Sequence, residues 1–267
     1  MSIRSGSEPA LVRMEHISKG FNQGTVSETT VFRDFNLEVR RGQFVSVVGS
    51  NGSGKTTMLN LICGSLPTDS GTITLNGQPL NPLREYQRAR NIGRVFQDPA
   101  RGTCPELTIL ENMALAEQKG KAFGLTRGVN RRRMDAYRTQ LETLKLGLED
   151  QLELPVGSLS GGQRQALALL ISTMTPIDLL ILDEHTAALD PNSSATVMEL
   201  TEQVVREKGL TALMVTHNLK YAIQYGDRLL MMHKGQAVID AADAEKAALR
   251  TDDLLARFNE ISLELGN

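Results

Sequence analysis

The stretch that decides the fold is GSNGSGKTT, residues 49–57. It follows the β-branched run QFVSVV at 43–48 and leads into an apolar segment of helical character at 55–63. A strand, a glycine-rich loop and a helix in this order allow backbone N–H groups and the helix N-terminus to cradle phosphate groups. The spacing G-x-x-x-x-G-K-T matches the Walker A loop, and a plain glycine turn does not explain the Lys-Thr pair.

This loop predicts a nucleotide site with a metal ion. Lys55 is expected to bridge the β and γ phosphates of ATP, and the Thr56 hydroxyl is expected to hold Mg²⁺. The predicted cofactors are therefore ATP and Mg²⁺. The candidate nucleotide-binding residues of the loop are Gly49, Ser50, Asn51, Gly52, Ser53, Gly54, Lys55, Thr56 and Thr57.

A second element of such a site is the run LLILDE at 179–184. Four apolar residues predict a buried strand that delivers Asp183 at its C-terminal end, where open α/β sheets bind ligands. Asp183 is expected to hold Mg²⁺ through water, and Glu184 to act as general base on the attacking water. Alone, the run would be equally typical of an ordinary strand end.

Two further polar residues also follow apolar strands. His217 comes after the strand at 211–215, and Gln97 after the run at 92–96. Both are candidate catalytic residues, and the Gln97 amide is a candidate for meeting both the metal and the attacking water. By themselves, a lone His and an edge Gln are more often structural or exposed.

The remaining pattern predicts an α/β fold with a mostly parallel core sheet. Partly alternating runs at 11–17 and 31–39 predict an antiparallel β lobe. Helical periodicity from 106 to 158 predicts a helical subdomain, with Leu141, Leu144 and Leu148 on one face of a helix over 131–148. Further helices and strands then alternate, as in a sheet with right-handed crossovers. These are helices at 161–174, 193–207 and 218–224, strands at 179–183 and 211–215, and a hairpin at 228–239.

Bulk properties exclude several classes of protein. A net charge of -2 argues against general nucleic-acid binding, and no apolar run reaches the roughly 20 residues needed to span a bilayer. The N-terminal MSIRSGSEPA lacks the apolar core of a secretory signal and is predicted to be a short mobile tail. Cys63 and Cys104 have no CxxC spacing, so no structural zinc is expected, and Cys63 is predicted to lie in the core.

The run LSGGQ at 159–163 is a second glycine-rich turn before an apolar helix. With it, the sequence resembles the nucleotide-binding subunits of ATP-binding-cassette (ABC) transporters, because six of their motifs occur in the family's order. The resemblance covers residues 11–240, with 241–267 as a short C-terminal helical tail. The motifs are GSNGSGKTT as Walker A, VFQDP with the Q-loop glutamine Gln97, LSGGQRQ as the signature, LLILDE as Walker B, AALD as the D-loop and VTHN with the switch histidine His217.

The resemblance implies a P-loop NTPase fold of the ABC-ATPase type and explains the second turn. In the family two copies face each other head to tail, so that ATP on Walker A of one copy is closed by the signature of the other. The implied signature contacts are Ser160, Gly161, Gly162 and Gln163. It also implies that Phe21 stacks on adenine; the alternative is a phenylalanine of the core.

This sequence departs from the family's usual pattern at two positions. His185 stands where the family commonly has Pro after the catalytic Glu, and Ala187 where it has Ser. Because Glu184 and Asp190 remain, ATPase activity is expected. His185 is predicted to be an exposed substitution, and Ala187 to remove one polar contact across the dimer.

The resemblance also implies the setting. We expect separate transmembrane permease subunits, docked near the loop 98–107, and a periplasmic or extracellular solute-binding protein. We expect a peripheral location on the cytoplasmic face of the membrane and no nucleic-acid partner. The segment QDPARGTCPELTILENMALA at 97–116 is most similar to importers of amino-acid-like solutes, aromatic amino acids among them. The alternatives are an exporter ATPase, a soluble ABC ATPase such as one of iron–sulfur assembly, and a nonhydrolysing regulatory module.

Overall fold

A computed structural model describes residues 10–121 and 128–264. The tail predicted to be mobile lies almost wholly outside these ranges. The chain forms two compact units, Met1–Arg88 with Gly209–Asn267 and Ala89–Lys208. The described elements are β1 (Ala10–Phe21), β2 (Thr29–Arg40), β3 (Phe44–Gly49), α1 (Lys55–Cys63), β4 (Ser70–Leu75), β5 (Gln78–Pro79), α2 (Glu85–Arg88), β6 (Ile92–Val95), α3 (Ile109–Glu117), α4 (Met134–Glu142), α5 (Gly161–Ser172), β7 (Leu179–Asp183), α6 (Pro191–Glu207), β8 (Thr211–Val215), α7 (Leu219–Gln224), β9 (Arg228–His233), β10 (Gln236–Ala242), α8 (Asp243–Ala248) and α9 (Thr251–Glu264).

The first unit contains the predicted antiparallel lobe, a sheet of strand order β2-β1-β4-β5. In β1, Val12 and Met14 are buried whereas Arg13 and Glu15 are exposed, the alternation expected of a sheet with one solvated face. The strand runs to Phe21, beyond the predicted end, because register shifts after Met14 break the alternation without ending the pairing.

The same unit contains four strands of a second sheet, in the order β10-β9-β3-β8. β3 pairs in parallel with β8 and with β9, and β10 returns antiparallel to β9. All six residues of β3 are buried, as expected for a parallel strand covered on both faces. Its one hydroxyl, Ser46 Oγ, donates to the Tyr225 carbonyl at 2.9 Å. The loop 50–54 therefore leaves the C-terminal end of a fully buried central strand.

The second unit pairs β6 and β7 in parallel, with Ile92 opposite Leu179. The helix predicted over 131–148 is wrong in length: a 3₁₀ turn at Arg131–Arg133 leads into α4, which ends at Glu142. Leu141, Leu144 and Leu148 are all buried as predicted, but the last two lie in the connection after α4. Apolar spacing identified the buried side chains correctly and overestimated the helix.

Secondary structure thus agrees with the predicted α/β class, with small differences at element ends. Cys63 is buried, as predicted. No helix among residues 10–121 and 128–264 is both long and apolar enough to cross a membrane.

Candidate functional site

The loop after β3 has a backbone that requires glycine. Gly49, Gly52 and Gly54 have φ angles of 155°, 77° and 103°. A Cβ atom on Gly49 would lie 2.3 Å from the Met232 carbonyl oxygen, and one on Gly54 would lie 2.8 Å from the Phe32 ring. The glycines of the motif therefore serve both the sharp turn and its close packing.

Lys55 folds back into this loop. Its Nζ donates to the carbonyls of Gly49 at 2.8 Å and Ser50 at 2.9 Å, and the residue is 5% exposed. The N-cap of α1 is Gly54, which provides no side-chain cap. The loop therefore gathers a buried ammonium group and the uncapped N-terminus of a nine-residue helix, which together favour an anion.

Two other residues predicted for the site, His217 and Phe21, lie at or just after the ends of strands in the first unit. His217 is exposed two residues after β8, and Asn218 next to it caps α7 through the Tyr221 N–H at 3.2 Å. Phe21 is the last residue of β1 and is half-buried, with Lys19 Nζ 5.5 Å from its ring centroid. The ring is thus open on part of its surface, whereas a core phenylalanine such as Phe32 is fully buried.

In the second unit Asp183 is the last residue of β7, as predicted. Its Oδ2 atom lies 2.6 Å from Nη2 of Arg94 in the neighbouring strand β6, and both side chains are mostly buried, at 14% and 11% exposure. Gln97 follows two residues after the end of β6 and is exposed. Sequence reasoning missed Arg94, although a charged residue within the apolar run IGRVF at 92–96 was a visible signal.

Glu184 has a left-handed backbone, with φ of 50°, and its carbonyl accepts a hydrogen bond from the Ala187 N–H at 2.9 Å. Such a conformation is uncommon for a residue with a side chain, and residues of this kind cluster at active sites. The tight turn places the half-buried Glu184 directly after the strand that carries Asp183.

The prediction that His185 is an exposed substitution is wrong. The residue is 2% exposed, and its Nε2 lies 3.1 Å from Thr201 Oγ1 on α6. Burial lowers the pKa of this imidazole to about 4, so the ring is neutral at physiological pH. The turn after Glu184 directs this side chain inward, which the sequence pattern did not reveal.

The second glycine-rich turn differs in construction from the first. Ser160 is the N-cap of α5: its Oγ accepts from the Gln163 N–H at 3.3 Å, and Gln163 Oε1 accepts from the Ser160 N–H at 3.1 Å. Ser160 and Gly161 are exposed. A Cβ atom on Gly162 would lie 3.0 Å from Cβ of Ser193 on α6. The signature residues thus form a capped, exposed helix start.

Taken separately, the residues of each unit have chemistry that suits part of a magnesium nucleotide. Anionic phosphates suit the buried ammonium and uncapped helix of the loop, and Thr56 in its first turn is exposed. Asp183 supplies a carboxylate, an oxygen ligand of the kind that Mg²⁺ prefers. Among the described residues, no cluster of three or more His, Cys, Asp or Glu side chains forms a metal site on its own.

Fold and loop define the class of protein as a P-loop α/β nucleoside triphosphatase. Within it, the family model described as ABC transporter matches residues 32–187. The chain is 46% identical over 248 residues to the "Tyrosine transport ATP-binding protein" of Clostridioides difficile (strain R20291), covering 93% of this chain and 98% of that protein. It is 33% identical over 227 residues to the "Putative hemin import ATP-binding protein HrtA" of Staphylococcus aureus (strain bovine RF122 / ET3-1), covering 84% and 97%.

A solved structure, a dimeric ATP-binding cassette in a post-hydrolysis state with ADP and Pi, is similar to this chain with a TM-score of 0.72 at 28% identity. The likeness covers 86% of this chain and 98% of that one. The chain therefore belongs to the ABC transporter family, as the motifs predicted. It is an ATP-binding subunit of an ABC transporter and an ATPase.

Proposed function

We propose that this chain powers the import of an amino-acid-like small solute through separate permease subunits. The observation that supports the solute class is the 46% identity to a tyrosine transport ATP-binding protein along almost the whole of both chains. The more distant relative named for hemin import defines the competing class. The alternatives of an exporter ATPase and a soluble ABC ATPase gain no observation of their own from the fold.

Reconstitution tests the solute class. The chain would be co-expressed with candidate permease and solute-binding proteins from the same organism, and phosphate release would be measured in proteoliposomes. Tyrosine or phenylalanine should stimulate ATP hydrolysis, whereas hemin should not. Stimulation by hemin alone would refute the amino-acid-like solute and favour the competing class.

We propose the following roles for the site residues. Lys55 binds phosphate oxygens in place of the loop carbonyls that it contacts now, and the Thr56 hydroxyl and Asp183 carboxylate are oxygen ligands for Mg²⁺, the latter through water. When bound, Mg²⁺ neutralises charge on the β and γ phosphates. Glu184 accepts a proton from the attacking water, while Gln97 and His217 orient it. Phe21 stacks on adenine.

We further propose that two copies assemble head to tail, with the exposed N-terminus of α5 in one copy closing the nucleotide of the other. The dimeric cassette among the solved relatives supports this proposal. A two-fold axis would form both sites at once. Loss of the γ phosphate would remove the contact that joins the halves, and opening of the dimer would then move the permease.

Ser160→Arg tests the dimer, because a bulky cation at this exposed helix start should block the partner's nucleotide. In a Glu184→Gln background, in which we expect the ATP dimer to accumulate, size exclusion with ATP should show only monomer, while the affinity of the monomer for ATP stays within about two-fold. Ser158→Arg is the matched control, since Ser158 is an exposed serine in the preceding 3₁₀ turn. Dimerisation of Ser160→Arg that equals the control would refute the proposed arrangement.

The permease is proposed to dock at the loop 98–107 and at the start of α3. The loop contains a 3₁₀ turn at Pro99–Arg101, and α3 begins with a capping box of Thr108 and Glu111, so the segment is locally ordered. Single cysteines at 101 and 106, with Cys63 and Cys104 replaced, should crosslink to cytoplasmic loops of the permease. If crosslinks formed only from cysteines at Arg131–Arg133, the proposed docking surface at 98–107 would be wrong.

A further inference from the structure

Arg94 is an unexpected charge in a strand whose other residues are apolar or glycine and buried. A guanidinium in such a place is costly unless it is paired. It lies in hydrogen-bond contact with Asp183, Nη2 to Oδ2, and 4.7 Å above the Phe96 ring. One ion pair and one aromatic face therefore hold this guanidinium against the end of β7.

The partner of Arg94 is the carboxylate that we propose for Mg²⁺, and the inference rests on that proposed role. In the structure the negative charge of Asp183 is already balanced by a cation at 2.6 Å. A metal that uses this carboxylate must share it with the guanidinium or displace it. The ion pair with Arg94 stabilises the Asp183 carboxylate in the absence of metal. If metal binding weakens this ion pair, the ion pair lowers the affinity for the metal, because the two equilibria are linked.

We propose that Arg94 is the resident counter-ion of Asp183 and competes with Mg²⁺ for this carboxylate. It keeps the end of β7 neutral between turnovers and favours release of the metal with the hydrolysed nucleotide. Arg94 is thus a positioning residue that acts through Asp183.

Arg101 offers a matched control within the same cluster. Its guanidinium also lies 4.7 Å from the Phe96 ring, the same distance as that of Arg94. Among residues 10–121 and 128–264, however, Arg101 forms no ion pair with a carboxylate. Replacing either arginine removes one positive charge and one contact with the ring, but only Arg94 removes the ion pair with Asp183.

The experiment measures the dissociation constant of a fluorescent, non-hydrolysable ATP analogue twice, in EDTA and in saturating Mn²⁺. The value in EDTA is divided by the value in Mn²⁺, so a higher ratio means that the metal contributes more to binding. The ratio isolates the metal's contribution, because a change that affects both measurements equally cancels. Arg94→Gln keeps a hydrogen-bond donor for Asp183 and removes the charge, so it should raise the ratio about five-fold. Arg94→Lys keeps the charge and should stay near wild type.

Arg101→Gln should leave the ratio near that of wild type, and adding Arg94→Gln to Asp183→Asn should have no further effect. The inference is overturned if Arg94→Gln leaves the ratio unchanged or lowers it, or if Arg101→Gln raises it equally. The same series tests the underlying role separately, since Asp183→Asn alone should lower the ratio. A wild-type ratio in Asp183→Asn would refute the metal role of Asp183 and, with it, the counter-ion.

Discussion

The two glycine-rich turns of this chain look alike in sequence and differ in construction. At the first, the glycines adopt left-handed or extended positive-φ conformations, no side chain caps α1, and Lys55 lies buried within the loop. At the second, Ser160 and Gln163 cap α5 reciprocally, and both glycines lie within the helix. The first turn is thus built to receive an anion, whereas the second is complete by itself and exposed, as a surface for another molecule would be.

The proposed general base, Glu184, lies in neither glycine-rich turn, and its replacement should have the largest effect on ATP turnover. Glu184→Gln should lower ATP turnover about 100-fold or more, because it would remove the proposed general base and leave the residues of both glycine-rich turns unchanged. Phosphate release measures the loss, and size exclusion with ATP should show an accumulated dimer. Turnover at the wild-type rate would mean that Glu184 is not the base.

Glycine replacement should separate the two turns. Gly49→Ala would force a Cβ to 2.3 Å from the Met232 carbonyl, at a strained φ, and should destabilise the fold by about 3 kcal/mol or more. Gly161→Ala meets only the flexible end of Leu189 at 3.1 Å, within a helix, and should change stability by about 1 kcal/mol or less. Urea unfolding measures both. Equal losses would contradict the distinction between the turns.

The stability of the fold at low pH should depend on His185, whose ring contacts Thr201 on α6, the helix that also packs against the second turn. The folded chain keeps this imidazole neutral, with a pKa near 4, whereas the unfolded chain takes up a proton near 6.5. Stability is therefore fully present above about pH 6.5 and falls as the pH drops towards 4, by about 2 kcal/mol at pH 5.

His185→Gln, which retains a hydrogen-bonding group for Thr201, should remove this component of the pH dependence. Urea unfolding of both proteins at pH 5 and pH 7.5 measures the difference. Parallel profiles for the variant and the wild type would show that His185 does not carry the effect.

The smallest expected effect concerns the cap of the second turn. Ser160→Ala removes the acceptor for the Gln163 N–H and should cost about 1 kcal/mol of stability. Thr108→Ala is the matched control, since Thr108 caps α3 by the same capping box. Similar losses in urea unfolding are expected for both. No loss at Ser160, with a loss at Thr108, would show that the second turn does not depend on its own cap.

Local patterns in the sequence determined much of this protein. The Walker A spacing predicted a strand, a loop and a helix, because Gly49, Gly52 and Gly54 adopt the positive-φ backbone of this loop without the strain that a Cβ atom would add. The alternation in β1 predicted the antiparallel lobe, and the run LLIL predicted the buried strand that ends at Asp183. These features depend on residues near one another in the chain, so a single stretch of sequence contains the information.

Only the tertiary structure decided the rest. The partner of Asp183 is Arg94, which lies on a neighbouring strand and far away in sequence, and the burial of His185 depends on its contact with Thr201 on α6. The helix over 131–148 ended early although its leucines are buried, because apolar spacing records which side chains face the core and not whether the backbone between them stays helical. Pairing and burial between distant segments arise from packing, which one sequence does not spell out.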